Sequence, residues 1–330
     1  MRSLMSDEQF RLQFAGHETF PLRYGWLKKS YDAIIASQKG TEEFVDARSV
    51  FARETAIALF GVGKNMVTSM RHWMQATGVL EADPNISNAL RVSEVGHLIF
   101  GSGDPYLEYP ASLWLLHWNL VSVPDKATTW YWIFNECNEA TFTRDSVRTR
   151  LARRCTELVE DTDGRAGRVS EATLKGDVLC FVRTYAQKAS AGQQSQEDSL
   201  ECPLTELGLL QPVDIGNAFQ LRRGPKPSLP DEVFLYALLR FWQQHFPTRR
   251  EFTVEAITHE PGSPGRAFVM DEDSVAERLE RLAGLTGGSV RWDESTGMRQ
   301  VYCSSISELD PTSYLHRFYQ ERNALSERAA

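Results

Sequence analysis

The stretch Leu59–Leu80, LFGVGKNMVTSMRHWMQATGVL, decides the fold of the first part of the chain. Gly61-Val62-Gly63 is a tight break, and a helix is predicted to follow it from Asn65 to Ala76. Apolar side chains recur in this helix at the spacing of one face, at Met66, Met70, Trp73 and Met74. An amphipathic helix behind a short glycine-containing turn is typical of a helix-turn-helix.

The polar residues of this helix suit contact with DNA. They fall mainly on the other side of the helix, at Lys64, Asn65, Thr68, Ser69, Arg71 and His72. Lysine and arginine reach phosphates, asparagine and arginine read base edges, and no acid lies between Leu59 and His72. The alternative is a surface helix with an ordinary core face. Winged helices also serve as protein-interaction modules, which is a second alternative to DNA binding.

The flanking segments complete a winged helix-turn-helix, predicted over residues 1–103. Helical patterns precede the glycine break at Tyr24–Gln38, Glu42–Val50 and Phe51–Leu59. Two short strands joined by a polar turn follow it, at Val79–Glu81 and Ala89–Val92, and predict a hairpin.

The rest of the chain predicts a mainly α protein with small β-hairpins. Residues 104–225 form a helical, aromatic-rich middle domain, with loops predicted at Gln187–Ser199 and Arg222–Pro230. Residues 226–330 repeat the winged-helix order, with helices at Asp231–His245 and Asp271–Leu285 and then a hairpin within Gly288–Cys303. From Asp231 to Glu294 there are twelve acids and seven arginines, which favours protein contacts or a homodimer over DNA binding by this C-terminal copy.

Composition excludes several classes of protein. The chain has 330 residues, a formal charge of −8 and a hydrophobic fraction of 42%, so a DNA contact must come from a local basic face. Five scattered cysteines, without a CxxC pair, indicate reduced thiols and a cytoplasmic location. The N-terminus does not resemble a signal peptide, and the apolar run Ala111–Phe134 is interrupted by polar residues and a turn.

A second basic patch lies at Arg144–Arg154, RDSVRTRLARR. Arg144 and Arg148 are four residues apart, as are Arg150 and Arg154, so a helix would carry two adjacent basic stripes. A phosphate-binding face and a solvated helix neutralised by the acids that follow it are both open interpretations.

His17, Glu18 and Arg23 are the candidate catalytic residues, because they stand close together in the aromatic segment Phe14–Trp26. They would form an acid/base pair or a phosphate clamp. The alternative is a hydrogen-bonded network within a core. The sequence has no nuclease or hydrolase signature, no metal-ligand spacing among its seven histidines and no nucleotide-binding loop.

Five segments resemble the bacterial SspB-like family of the DNA phosphorothioation (single-stranded Ssp) phage-defence system. They are FAGHETFPLRYGWLKK (14–29), FGVGKNMVTSMRHWMQATGVL (60–80), LWLLHWNL (113–120), PLTELGLL (203–210) and SPGRAFVMDEDS (263–274). The resemblance implies binding and nicking of double-stranded DNA, so that sulfur replaces a non-bridging phosphate oxygen. It also implies an ATPase, a sulfur-transfer protein and a cysteine desulfurase as partners, and a divalent metal (Mg or Mn) for nicking. The competing hypothesis is a non-catalytic adaptor or transcriptional regulator that only binds DNA.

Overall fold

The computed structural model describes residues 3–39, 45–186, 202–213, 217–295 and 297–329. Its α-helices are α1 (Trp26–Gln38), α2 (Arg53–Phe60), α3 (Lys64–Ala76), α4 (Glu94–His97), α5 (Pro110–Ser122), α6 (Thr128–Asn135), α7 (Arg144–Asp161), α8 (Glu171–Tyr185), α9 (Asp231–His245), α10 (Val254–His259), α11 (Pro264–Ala267), α12 (Glu272–Leu285) and α13 (Pro311–Ala329). Turns of 3-10 helix lie at Leu4–Ser6, Ala47–Phe51, Pro203–Leu207 and Ile306–Glu308, and a π-helix lies at Leu98–Gly103.

The strands form three small antiparallel sheets. They are β1 (Leu80–Ala82), β2 (Leu90–Val92), β3 (Thr141–Thr143), β4 (Leu210–Val213), β5 (Ala218–Leu221), β6 (Glu251–Thr253), β7 (Val290–Ser295) and β8 (Met298–Cys303). β1 pairs with β2, and the other two sheets have the orders β3-β5-β4 and β6-β8-β7. In each three-stranded sheet an aromatic residue of the first strand pairs with the central strand, as Phe142 with Phe219 and Phe252 with Val301.

Helix starts follow local capping chemistry. The side chain of Asp271 accepts a hydrogen bond from the backbone N–H of Ser274 and caps α12, and Ser170 caps α8 through the N–H of Thr173 in the same way. Thr143 and Ser146 cap α7 reciprocally, so this helix begins directly after β3.

The mainly α prediction with small hairpins is confirmed. The helices predicted at Tyr24–Gln38, Asn65–Ala76, Asp231–His245 and Asp271–Leu285 match α1, α3, α9 and α12 to within two residues. In the helical segment predicted at Glu42–Val50, the structure has a 3-10 helix at Ala47–Phe51, and residues 40–44 lie outside the described residues. The predicted loop Gln187–Ser199 also lies outside them.

The middle region is less purely helical than predicted. Strand β3 and the hairpin β4–β5 lie within residues 104–225 and form a sheet of their own. The aromatic part is buried as expected: Trp114, Trp118, Trp130 and Trp132 are all at most 6% exposed. The buried apolar side chains form one continuous cluster from Met5 to Tyr319, which passes through all three predicted domain ranges.

The run Ala111–Phe134 consists of α5 and α6 around the turn at Pro124–Lys126. Among the described helices, none is long and apolar enough to cross a membrane. All five cysteines are buried and form no disulfide.

Candidate nucleic-acid interface

Helix α3 has one exposed polar face. It begins at Lys64, directly after Gly61 has ended α2 with a φ of 63° and Gly63 has extended the chain. Met70, Trp73 and Met74 are buried as predicted, and Met66 packs against the core. The exposed or half-buried polar side chains are Lys64, Asn65, Thr68, Arg71, His72 and Gln75. Lys64 and Arg71 form no ion pair with any described residue, so their charges face solvent.

Two residues assigned to this face lie on its buried border instead. Ser69 is fully buried, and its hydroxyl donates a long hydrogen bond of 3.5 Å to the Phe20 carbonyl. The ring of His72 packs against Gly16, where an added Cβ would stand 2.4 Å from Nδ1 of His72. Helical rotation of about 100° per residue brings positions 65, 69 and 72 to the same side, which borders residues 14–20.

His72 is a neutral imidazole. Burial, then the charges of His17 and Lys126, lower the pKa of His72 from 6.5 to about 3. Its Nε2, like Nε1 of Trp130, finds no hydrogen-bond partner among the described residues. His72 therefore supplies no cation for a phosphate at neutral pH, and its contact with DNA stays a prediction.

His17 is held in a buried network. It is 1% exposed, and its Nε2–H lies 3.0 Å from Oδ1 of Asp177, which is equally buried. Its Nδ1 accepts a hydrogen bond of 3.0 Å from the backbone N–H of Thr19, which fixes the tautomer with the proton on Nε2. Oδ1 of Asp177 also accepts from the N–H of Ala15 at 2.8 Å, and Oδ2 accepts from the Thr129 hydroxyl at 2.9 Å.

This network holds residues 15–19, here called the strap, in a strained conformation. Ala15, Glu18 and Thr19 have φ values of 62°, 49° and 65°. Non-glycine residues rarely adopt this left-handed region, and each such residue costs on the order of 1–3 kcal/mol. The hydrogen bonds of Asp177 and His17 to the backbone at Ala15 and Thr19 offset that strain.

The three candidate catalytic residues do not meet at one point. Both ring nitrogens of His17 are engaged inside the protein, and the half-buried Glu18 makes no side-chain contact with it. The guanidinium of Arg23 lies over the rings of Phe20 and Trp26, at 5.7 and 5.5 Å. The arrangement agrees with the structural alternative for His17.

Asp177 and Thr129 are the members of this network that sequence reasoning missed. They lie 160 and 112 positions from His17, so no local spacing connects them. One signal was present: Asp177 falls on the apolar face of α8 between Leu174, Val178 and Phe181, where an acid needs buried partners.

The arginines of α7 are largely neutralised by acids. Arg148 lies 3.2 Å from Asp145 and 3.4 Å from Glu171, and Arg150 pairs with Glu139. Arg154 lies 2.8 Å from Glu136, within a half-buried cluster that includes the Ser6 hydroxyl at 3.1 Å. Arg144 lies over the ring of Phe219 at 5.5 Å. These contacts favour the neutralised interpretation of this patch, although the acids come mainly from outside the segment that follows it.

The C-terminal part, residues 226–330, has acids at the start of α12. Asp271 caps the helix, Glu272 lies 3.1 Å from His259, and Asp273 lies 2.9 Å from Arg299. Carboxylates at a helix N-terminus occupy the position where a phosphate would otherwise bind.

A metal site is not preformed among the described residues. No group of three or more His, Cys, Asp or Glu side chains in these ranges could hold a metal ion. The described residues therefore do not fit a dedicated protein cage for magnesium or manganese, and we assign no residue to a metal.

Comparison with known proteins gives a family and two related structures. The family model described as "Protein of unknown function (DUF4007)" matches residues 14–319. A structure described as "Magnesium ion-bound SspB crystal structure" is 30% identical, with a TM-score of 0.78, covering 97% of this chain and 91% of the other. A second, "SspB crystal structure", is also 30% identical, with a TM-score of 0.75, covering 96% and 91%. No curated protein matches significantly.

Proposed function

The chain belongs to the DUF4007 family and is related along most of its length to the SspB structures, and from this we propose that it is the DNA-binding component of a DNA phosphorothioate modification and antiphage system. The distinctive segments 14–29 and 60–80 support this proposal, since they carry the family resemblance and contribute the strap and α3. Its partners in such a system would be an ATPase, a sulfur-transfer protein and a cysteine desulfurase.

The observation that carries the DNA-binding part is the exposed face of α3. Lys64 and Arg71 project from it without an ion-pair partner among the described residues, on a protein with a net charge of −8. Asn65 and Thr68 lie on the same helix and offer hydrogen bonds to base edges or phosphates. Helices α2 and α3 followed by the hairpin β1–β2 have the order of a winged helix-turn-helix, in which α3 is the recognition helix and the hairpin is the wing.

DNA nicking is the enzymatic part of the proposal, and it rests on the family resemblance alone. A divalent metal is expected for it, because a bound cation polarises the scissile phosphate. A non-catalytic adaptor is the second candidate. It is favoured by the engaged nitrogens of His17, which leave neither ring nitrogen free for acid/base chemistry.

Equilibrium binding of a labelled DNA duplex tests the DNA-binding part. Lys64→Ala together with Arg71→Ala should weaken binding about 10- to 100-fold near 0.1 M salt, since each lost phosphate contact is worth about eightfold there. Arg317→Ala with Arg322→Ala is the matched control, because it removes two exposed cations from α13 in the C-terminal part. Equal losses of affinity in both variants would show that the effect comes from net charge alone. Unchanged affinity in the folded α3 variant would refute α3 as the DNA reader.

Relaxation of supercoiled plasmid separates nicking from simple binding. The nicking proposal predicts relaxation that requires added Mg²⁺ or Mn²⁺ and stops with a chelator. Binding without relaxation, with either metal and with the partner proteins present, would support the adaptor and contradict the nickase.

A further inference from the structure

The middle part of the chain repeats the architecture of the C-terminal part. In both parts a short strand, β3 or β6, is followed by helices and then by a hairpin, β4–β5 or β7–β8. The second strand of each hairpin pairs with the preceding short strand, which gives the equivalent orders β3-β5-β4 and β6-β8-β7. Helix α8 therefore occupies the position that α12 occupies in the C-terminal sheet unit. Among the described α-helices it is also the last before the hairpin β4–β5, as α3 is before β1–β2, although the 3-10 helix Pro203–Leu207 lies between α8 and β4.

Helix α8 has a cationic exposed face, in contrast to α12. Lys175 is exposed, Arg183 is half-buried, and Leu179 between them is 40% exposed. Neither cation forms an ion pair with a described residue. Of the acids of α8, Asp177 is buried in the His17 network, and Glu171 in the first turn lies 3.4 Å from Arg148.

The strap lies between α3 and α8 and contacts both helices. On one side Gly16 abuts His72 of α3, and the rings of His17 and His72 are 5.8 Å apart. On the other side Asp177 of α8 accepts the hydrogen bonds of His17 and Ala15. Arg183 reaches the Thr19 carbonyl at 3.5 Å, and a Cβ on Gly176 would stand 3.7 Å from the Thr19 methyl. The imidazole ring of His17 thus lies between Asp177 of α8 and His72 of α3.

From this juxtaposition we propose that α8 is a second DNA-contacting helix, and that one duplex is held by α3 and α8 together with the strap between them. The proposal rests on the proposed function, because it extends the same DNA interface. Lys64 and Arg71 provide its cations on α3, and Lys175 and Arg183 provide them on α8. Lys126, which is exposed near His72, adds charge at the border of the strap. A duplex carries many phosphates, so each of these separate cations can contact one of them.

The carboxylate of Glu18 is a negative charge within this surface and should repel the phosphates of DNA. It lies on the strap between the two helices, half-buried and without an ion pair among the described residues. A duplex that lies across the strap would bring phosphates towards this carboxylate, so removal of its charge should strengthen binding. A catalytic Glu18 would instead lose activity without such a gain in affinity.

Duplex binding by the full chain tests the proposal with three variants. Lys175→Ala, which removes no described contact, should weaken binding about eightfold near 0.1 M salt, the effect of one phosphate contact. Lys175→Ala with Arg183→Ala should weaken it about 10- to 100-fold. Glu18→Gln should tighten it about two- to fivefold at low salt, where charges a few ångströms apart are weakly screened. Thermal melting confirms that each variant is folded, and Arg317→Ala with Arg322→Ala controls for net charge.

The possible failures are distinguishable. If the unaltered protein does not bind duplex DNA, the proposed function itself fails. If it binds, and the α3 variant weakens while Lys175→Ala matches the control, DNA is held by α3 alone and this inference is overturned. An unchanged or weaker affinity in Glu18→Gln contradicts a duplex that crosses the strap.

Discussion

Replacement of Asp177 by alanine removes the acceptor on which three donors converge. These donors are the N–H of Ala15 at 2.8 Å, Nε2–H of His17 at 3.0 Å and the hydroxyl of Thr129 at 2.9 Å. All three point into a site that is 1% exposed, so water cannot replace the carboxylate without repacking.

The expected loss of unfolding free energy follows from these contacts. A buried donor left unpaired costs about 1–3 kcal/mol, and Asp177→Ala leaves three buried donors without their acceptor. Asp177→Ala should therefore destabilise the protein by about 3–5 kcal/mol. Asp177→Asn keeps the volume and one acceptor oxygen, so it should cost about 1–3 kcal/mol. Thr129→Val removes one donor and should cost about 1 kcal/mol.

Urea denaturation of the three variants tests this order. The midpoints should fall from Thr129→Val to Asp177→Asn to Asp177→Ala, with equal slopes, because the surface exposed on unfolding is the same. A loss below about 1 kcal/mol for Asp177→Ala, with the native fold kept, would show that the carboxylate does not hold the strap.

Three further predictions concern pH, packing and the C-terminal copy. Burial lowers the pKa of His117 from 6.5 to about 4, so its stabilising contribution is complete above pH 6.5 and is lost as pH falls towards 4. Urea denaturation should show that this group contributes about 2 kcal/mol less stability at pH 5 than at pH 7. Equal stability at the two pH values would contradict this prediction. Gly16→Ala should lower stability by about 1–3 kcal/mol in thermal melts, because its Cβ would collide with the His72 ring at 2.4 Å; a melting temperature equal to that of the unaltered protein would disprove this contact. Arg281→Ala with Arg299→Ala should leave duplex affinity within about twofold, because Arg281 pairs with Asp231 and Arg299 pairs with Asp273. A loss comparable to that of the α3 variant would place DNA on the C-terminal part.

Local chemistry was sufficient to predict the long amphipathic helices. The apolar spacing in α3 and the Asp271 cap of α12 depend on residues within one or two turns, and both elements lie where expected. The hairpin β7–β8 was predicted for the same reason, because its turn residues lie between two strand-forming runs.

Tertiary contacts explain what the sequence did not predict. Strands β3, β4 and β5 are three or four residues long, and the edge strand β4 contains Pro212, so their pairing is evident only once the sheet is assembled. The burial of Ser69 and the partial burial of His72 depend on the segment at residues 14–20, which packs along one side of α3. The charge of α7 depends on Glu136 and Glu139, which precede the helix and turn back onto Arg154 and Arg150.

The salt dependence of duplex binding tests the central claim most directly, because its slope counts phosphate contacts whereas an affinity loss alone also follows from misfolding. Each contact contributes about 0.9 to the slope of log K against log salt concentration. Lys64→Ala with Arg71→Ala should therefore reduce the slope by about 1.8, while Arg317→Ala with Arg322→Ala leaves it unchanged. An α3 variant that is folded and keeps the slope of the unaltered protein would contradict DNA binding through α3.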